Sequence, residues 1–159
     1  MGIYRLKREQ FLPVDLSALW DFISDPGNLA KITPGNMKFR ITTPDLPSEI
    51  YPGMMVSYRV SPFPGFRVTW VTEITHVTEG RFFVDEQRKG PYRLWHHEHR
   101  LRPVNGGTEM EDVVTYIPPM GILGSIANFL VIEKKLRAIF DYRETKLREL
   151  LEKSGFKGS

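Results

Sequence analysis

Cysteine does not occur in the 159 residues, which excludes disulfides, thiolate nucleophiles and thiolate metal ligands. Nor is there an apolar run approaching the roughly 20 residues a helix needs to span a bilayer. The first ten residues mix Arg5, Lys7, Arg8 and Glu9 with apolar side chains and lack the apolar centre of a signal peptide, so the cytoplasm is the expected compartment. Basic residues outnumber acidic ones by 22 to 19, a net charge of +3. They are scattered, and the densest group, Lys134, Lys135 and Arg137, sits beside Glu133. Nucleic acid is therefore not an expected partner. A phosphate-binding glycine loop, a zinc-protease helix motif and a Gly-x-Ser-x-Gly elbow are all missing, which removes the commonest nucleotide-dependent, zinc-protease and serine-hydrolase classes. No repeat or linker divides the chain, so residues 1–159 read as a single domain.

What is present is the composition of a globular core, 41% hydrophobic against 26% charged. Residues 3–12 read as a first strand, broken by Pro13. Asp15 caps a helix through residue 24, whose Leu16, Leu19, Trp20 and Ile23 share one face. Asp25-Pro26 opens a second short helix, which Thr33-Pro34-Gly35 ends. Six strands follow over residues 37–43, 54–61, 66–78, 81–88, 92–102 and 108–117. The turns at Glu79-Gly80, Lys89-Gly90-Pro91 and Asn105-Gly106-Gly107 are short enough to imply antiparallel neighbours. Pro118-Pro119 stops the sheet. A long helix over residues 125–153 carries the stripe Ile126, Phe129, Ile132, Leu136, Phe140, Leu147, Leu150 and Leu151, with Arg143 on the same stripe. A long amphipathic helix needs a surface to cover it. The expected fold is therefore α+β, a seven-stranded curved antiparallel sheet wrapped around the C-terminal helix, with two short helices between strands one and two.

Several segments carry a family likeness: Leu19-Trp20-Asp21-Phe22-Ile23-Ser24-Asp25-Pro26; Phe83-Val84-Asp85-Glu86-Gln87-Arg88-Lys89-Gly90-Pro91-Tyr92; Trp95-His96-His97-Glu98-His99; Gly106-Gly107-Thr108-Glu109-Met110-Glu111-Asp112; and Ile139-Phe140-Asp141-Tyr142-Arg143. Across nearly the whole chain the sequence resembles the START-like and Bet v 1-like (SRPBCC) superfamily, and most of all its small bacterial members related to polyketide cyclase/dehydrase. The resemblance implies a helix-grip fold with an internal cavity. It also implies a lipid, isoprenoid, polyketide-like or aromatic ligand.

The densest polar signal is the run 95–99. Alternate residues of a strand share a face, so Trp95, His97, His99 and Leu101 point one way, and the Trp and Leu mark that face as the inner one. By the same parity Phe83, Asp85 and Gln87 share a face in the preceding strand. Met110, Asp112, Val114 and Tyr116 share one in the following strand, opposite the outward Glu109 and Glu111. In simple register, Asp85, Gln87, His97, His99 and Asp112 converge on one interior wall. Three readings stay open. The first is a satisfied buried network of Asp–His pairs. The second is the polar end of a ligand pocket. The third is acid–base catalysis of the cyclase/dehydratase type by a pocket histidine, for which no catalytic residue is assigned. Two histidines at i, i+2 on a strand can ligate zinc, and Asp85 or Asp112 could add an oxygen, but the sequence does not choose the third ligand, so neither metal nor cofactor is expected.

Arg143 either reaches the rim, pairs with a carboxylate or anchors an anionic ligand group. The expected ligand-binding set is Asp85, Gln87, Trp95, His97, His99, Met110, Asp112 and Tyr116 from the sheet, and Phe129, Leu136, Phe140 and Arg143 from the helix. The apolar loops at 62–66 and 118–124 read either as ordinary packing under the helix or as a gate of the cavity that touches a membrane at most transiently.

Overall fold

The computed structural model describes residues 2–119 and 131–153. Seven strands form one sheet: β1 (Tyr4–Leu12), β2 (Arg40–Ile41), β3 (Met55–Phe63), β4 (Phe66–Thr78), β5 (Phe82–Lys89), β6 (Leu94–Val104) and β7 (Gly107–Ile117). Their spatial order is β1-β7-β6-β5-β4-β3-β2. Every neighbouring pair is antiparallel. From β2 to β7 the chain is a meander of adjacent strands, and β1 closes on β7 over nine residue pairs. The expected fold class is the one observed. The region expected as a full strand over residues 37–43 contributes only the two residues of β2, because a one-turn 3₁₀ segment, Gly35–Met37, occupies its start.

Helix α1 (Leu16–Ile23) buries Ala18, Leu19 and Trp20. The second short helix is a 3₁₀ segment, Pro26–Ile32, in which the Asp25 carboxylate accepts a hydrogen bond from the Gly27 amide at 2.8 Å. Helix α2 (Glu133–Lys153) closes the open side of the sheet and buries Leu136, Phe140, Leu147 and Leu151. These four belong to the stripe expected from the sequence. The stripe residues Ile126 and Phe129 lie outside the described residues, as does the start of the expected long helix.

Two apolar clusters result. Leu147 and Leu151 pack with Leu12, Val14, Leu19, Met54 and Phe83 at one end. Leu136 and Phe140 pack with Leu6, Val114 and Tyr116 at the other. The first cluster depends on a close approach at the start of β7. The buried Thr108 hydroxyl donates to the Val14 carbonyl at 2.9 Å, and a Cβ on Gly107 would stand 2.2 Å from the Leu12 carbonyl oxygen. Backbone on both sides leaves no flexible atom to move aside. Gly107→Ala is therefore expected to destabilise the fold by about 1–3 kcal/mol, measured by guanidinium titration. An unchanged midpoint would mean that the β1–β7 corner is looser than described.

Candidate functional site

The β5–β6–β7 ladder explains how the polar residues meet. Phe83 pairs with His99 and Asp85 with His97; His99 pairs with Asp112, and Trp95 with Tyr116. Neither ladder shifts register along its length, so the expected faces are the observed ones. His97 and His99 are 3% and 8% exposed. Asp112 is buried and Asp85 half-buried.

The four side chains form a closed quartet. His97 donates from Nε2 to Asp112 Oδ1 at 2.9 Å, and His99 donates from Nε2 to Asp85 Oδ2 at 2.8 Å. His97 Nδ1 stands 3.4 Å from Asp85 Oδ2. His99 Nδ1 stands 2.9 Å from Asp112 Oδ1, without the alignment of a hydrogen bond. The two imidazoles lie 3.7 Å apart, centre to centre, and His99 stacks on Phe83 at 4.1 Å.

The charges follow from these contacts. Burial pushes the His99 pKa down, but the close Asp112 carboxylate, the hydrogen bond to Asp85 and the charges of both outweigh it and raise the pKa to about 9. Burial and the neighbouring His99 charge hold His97 below its ordinary value, against the pull of Asp85 and Asp112. Burial also opposes ionisation of Asp112, yet its hydrogen bond to His97 and its close contact with His99 keep it well below the usual carboxylate range. Asp85 is likewise held low against burial, by His97, by its hydrogen bond to His99, and by the charges of His99 and Arg143. At neutral pH one imidazolium thus sits between two carboxylates.

Above the quartet lies a cavity of about 250 Å³ between the sheet, the α1–3₁₀ segment and α2. Of the expected site residues, Asp85, Trp95, His97, His99, Met110, Leu136, Phe140 and Arg143 line it. Asp112 stands behind the histidines, on a separate small hollow with Arg8, Gln10 and Arg143. Tyr116 is 1% exposed and packs against Tyr4 and Trp95 rather than on the cavity. Gln87 is turned to the backbone: its amide donates to the Tyr92 carbonyl at 2.6 Å and accepts from the Tyr92 amide at 3.2 Å, clasping the β5–β6 turn. Phe129 lies outside the described residues. Pro62 and Pro119 from the two expected gate loops line the cavity, Phe66 is 67% exposed, and residues 120–124 lie outside the described residues.

An aromatic wall was missed in the sequence. Tyr58, Trp70 and Tyr92 line the cavity with Trp95. Trp70 stacks on Tyr58 at 6.0 Å and meets Trp95 edge-on at 5.3 Å. The Tyr58 hydroxyl is bonded to that of Thr72 at 3.1 Å, and burial raises its pKa. The alternation Trp70-x-Thr72-x-Ile74 was the available signal, since all three residues line the cavity. Opposite, the Arg143 guanidinium lies 5.2 Å from the Phe140 ring centre. Among the described residues, Arg143 Nε and Trp70 Nε1 are buried donors without a hydrogen-bond partner.

A family model described as "Polyketide cyclase / dehydrase and lipid transport" matches residues 12–139. No curated protein matches in sequence. Among solved structures, protein Ms6760 from Mycobacterium smegmatis is 18% identical, with 97% of this chain and 98% of that one covered and a TM-score of 0.69. Protein CV1439 from Chromobacterium violaceum is 14% identical, with coverage of 93% and 96% and a TM-score of 0.70. Ara h 8.0201, a Bet v 1-like protein, is 15% identical, with coverage of 92% and 98% and a TM-score of 0.61. At these identities the likeness is one of fold. No helix among the described residues is long and apolar enough to cross a membrane.

His99, the imidazolium of the quartet, is the member whose loss strands the most charge, because it leaves Asp85 and Asp112 facing a neutral His97. His99→Ala is expected to cost about 3–5 kcal/mol, the penalty for leaving buried ionic partners uncompensated, read from the denaturant midpoint. A loss below about 1 kcal/mol, the scale of an exposed pair, would mean that the quartet is open to water.

Proposed function

Because this chain belongs to the polyketide cyclase / dehydrase and lipid transport family, we propose that it binds a small, largely apolar molecule (lipid, isoprenoid, polyketide-like or aromatic) between the sheet and α2. The observation that carries this reading is a cavity with mostly apolar walls. Aromatic and aliphatic side chains from β3, β4, the 3₁₀ segment and α2 form most of it; Asp85, His97, His99 and Arg143 add a polar patch, and Asp25, Asn28, Thr33, Thr72 and Lys135 also reach the lining. Ligand pockets combine apolar area for affinity with a few placed polar groups for orientation. Affinity would come chiefly from apolar burial, at roughly 25 cal/mol per Å².

Size narrows the ligand. A dry cavity of about 150 Å³ accommodates benzene, so 250 Å³ suits a molecule of one to two rings or a short chain. A planar ring system would stack on one of Trp70, Tyr92 and Trp95 and meet the others edge-on, because their planes are inclined at 44–89° to one another. A carbonyl, hydroxyl or carboxylate at its end would reach Arg143 or the quartet.

Trp70 and Trp95 supply an internal probe. The purified protein should release an apolar small molecule on solvent extraction, or take up 1-anilinonaphthalene-8-sulfonate with quenching of tryptophan emission. Ile139 lines the cavity from α2. Filling the space with Ile139→Trp is expected to weaken dye binding at least tenfold while leaving the far-ultraviolet dichroism unchanged. Dye affinity equal in both proteins, with nothing extracted from either, would remove the binding reading.

A further inference from the structure

Three donor groups meet at one point on the cavity wall. Asp85 Oδ2 lies 2.8 Å from His99 Nε2 and 3.4 Å from His97 Nδ1. One donor atom from each of the three residues falls within 4.8 Å of the other two. All three residues line the cavity, whereas Asp112 does not. Asp112 stands behind them, its Oδ1 2.9 Å from His97 Nε2 and 2.9 Å from His99 Nδ1. Each imidazole therefore turns one nitrogen toward Asp85 and the other toward a single shared carboxylate at its back.

That division of nitrogens is what a metal centre requires. A metal-bound histidine coordinates through one nitrogen and donates its other N–H to an outer carboxylate, which fixes the tautomer and the ring plane. We propose that Asp85, His97 and His99 bind one divalent first-row transition-metal ion, with zinc the first candidate and Asp112 the outer carboxylate, hydrogen-bonded to His97 and in charge contact with His99. The inference goes beyond the apolar-ligand reading and does not depend on it.

Distance, charge and rigidity each favour it. Bonds of about 2.0–2.1 Å to a tetrahedral ion place its ligands roughly 3.3 Å apart, and the two separations to Asp85, 2.8 and 3.4 Å, bracket that spacing. The 3.4 Å contact is long for a hydrogen bond, and a cation between Nδ1 and the carboxylate would turn it into two bonds. A dication also balances two buried carboxylates with both imidazoles neutral. Two nitrogens and one oxygen without sulfur suit zinc, iron(II) or cobalt(II) better than calcium or magnesium. The ligands stand on two neighbouring strands in direct register, Asp85 opposite His97, which fixes their spacing before any ion arrives. The sequence alone left the third ligand for His97-x-His99 open between Asp85 and Asp112, and the grouping of donor atoms on the β5–β6 pair selects Asp85. The remaining coordination position faces the cavity, where it would take water or an oxygen donor on a bound molecule.

The test uses chelator-treated full-length protein and the metals alone. Zinc chloride, followed by calorimetry and by competition with a chromophoric chelator, should bind at one equivalent with micromolar or tighter affinity. Cobalt(II) chloride should give the intense visible bands of a four- or five-coordinate ion. Asp85→Asn and His99→Gln should each weaken zinc at least 100-fold, and Asp112→Asn about 10–100-fold. His96→Ala should leave affinity unchanged, because His96 is bonded to Glu86 on the other face of β6. The cobalt spectrum of the unaltered protein keeps the question answerable if a variant fails to fold. No stoichiometric uptake, a weak octahedral cobalt spectrum, or uptake that survives Asp85→Asn and vanishes in His96→Ala would overturn the proposal.

Discussion

Everything at this site depends on how two buried carboxylates are compensated. Asp85 and Asp112 come from β5 and β7, and the strand between them offers His97 and His99 to both. An unpaired carboxylate in that position would be held at a cost of several kcal/mol. A one-residue slip of β6 would send both imidazoles to the solvent face and strand both carboxylates. The quartet thus specifies the register of the sheet at the place where the cavity opens, and the same register sets Trp95 beside Tyr116 and Phe83 beside His99. Packing and polar chemistry fix one geometry rather than competing for it.

From that wall the rest of the cavity follows. The sheet curves away toward β3 and β4, where register shifts occur on both ladders, and bulges increase twist and bend. Helix α2 covers the concave side through Leu136, Phe140, Leu147 and Leu151, and the 3₁₀ segment after α1 closes one flank. The result is a hollow with largely apolar, aromatic walls and a few placed polar groups, the quartet and Arg143 chief among them, which suits holding an apolar body by burial and a polar end by direction.

Much of this was legible in the chain. The element order could be read because the turns between β4, β5, β6 and β7 are short and marked by Gly80, Gly90 and Gly106-Gly107. The inner faces of β5, β6 and β7 could be read because no bulge interrupts their pairing, so parity alone placed Asp85, His97, His99 and Asp112 together. Gln87 shares that parity, but its side chain answers to a local demand: the Tyr92 backbone needs partners, and Gly90, whose Cβ would stand 2.3 Å from Gln87 Oε1, leaves room for it. Tyr116 has the right parity but is covered by Leu136 and Phe140 of α2, and stacks on Tyr4. The aromatic wall on β3 and β4 went unread although its alternation holds through Val56, Tyr58 and Val60 and through Trp70, Thr72 and Ile74, because no charge drew attention to Tyr58 or Trp70. The depth of Asp112 relative to the cavity is a matter of three-dimensional curvature, which alternation does not encode.

The central claim is that His97 and His99 are sealed between Asp85 and Asp112 in distinct protonation states. Long-range ¹H–¹⁵N correlation of the imidazole rings in chelator-treated protein reads this directly. At neutral pH the account predicts both ring nitrogens of His99 protonated, one nitrogen of His97 protonated, and slow exchange of these protons with solvent. Two rings titrating together near the ordinary histidine value of about 6.5, with rapid exchange, would contradict it.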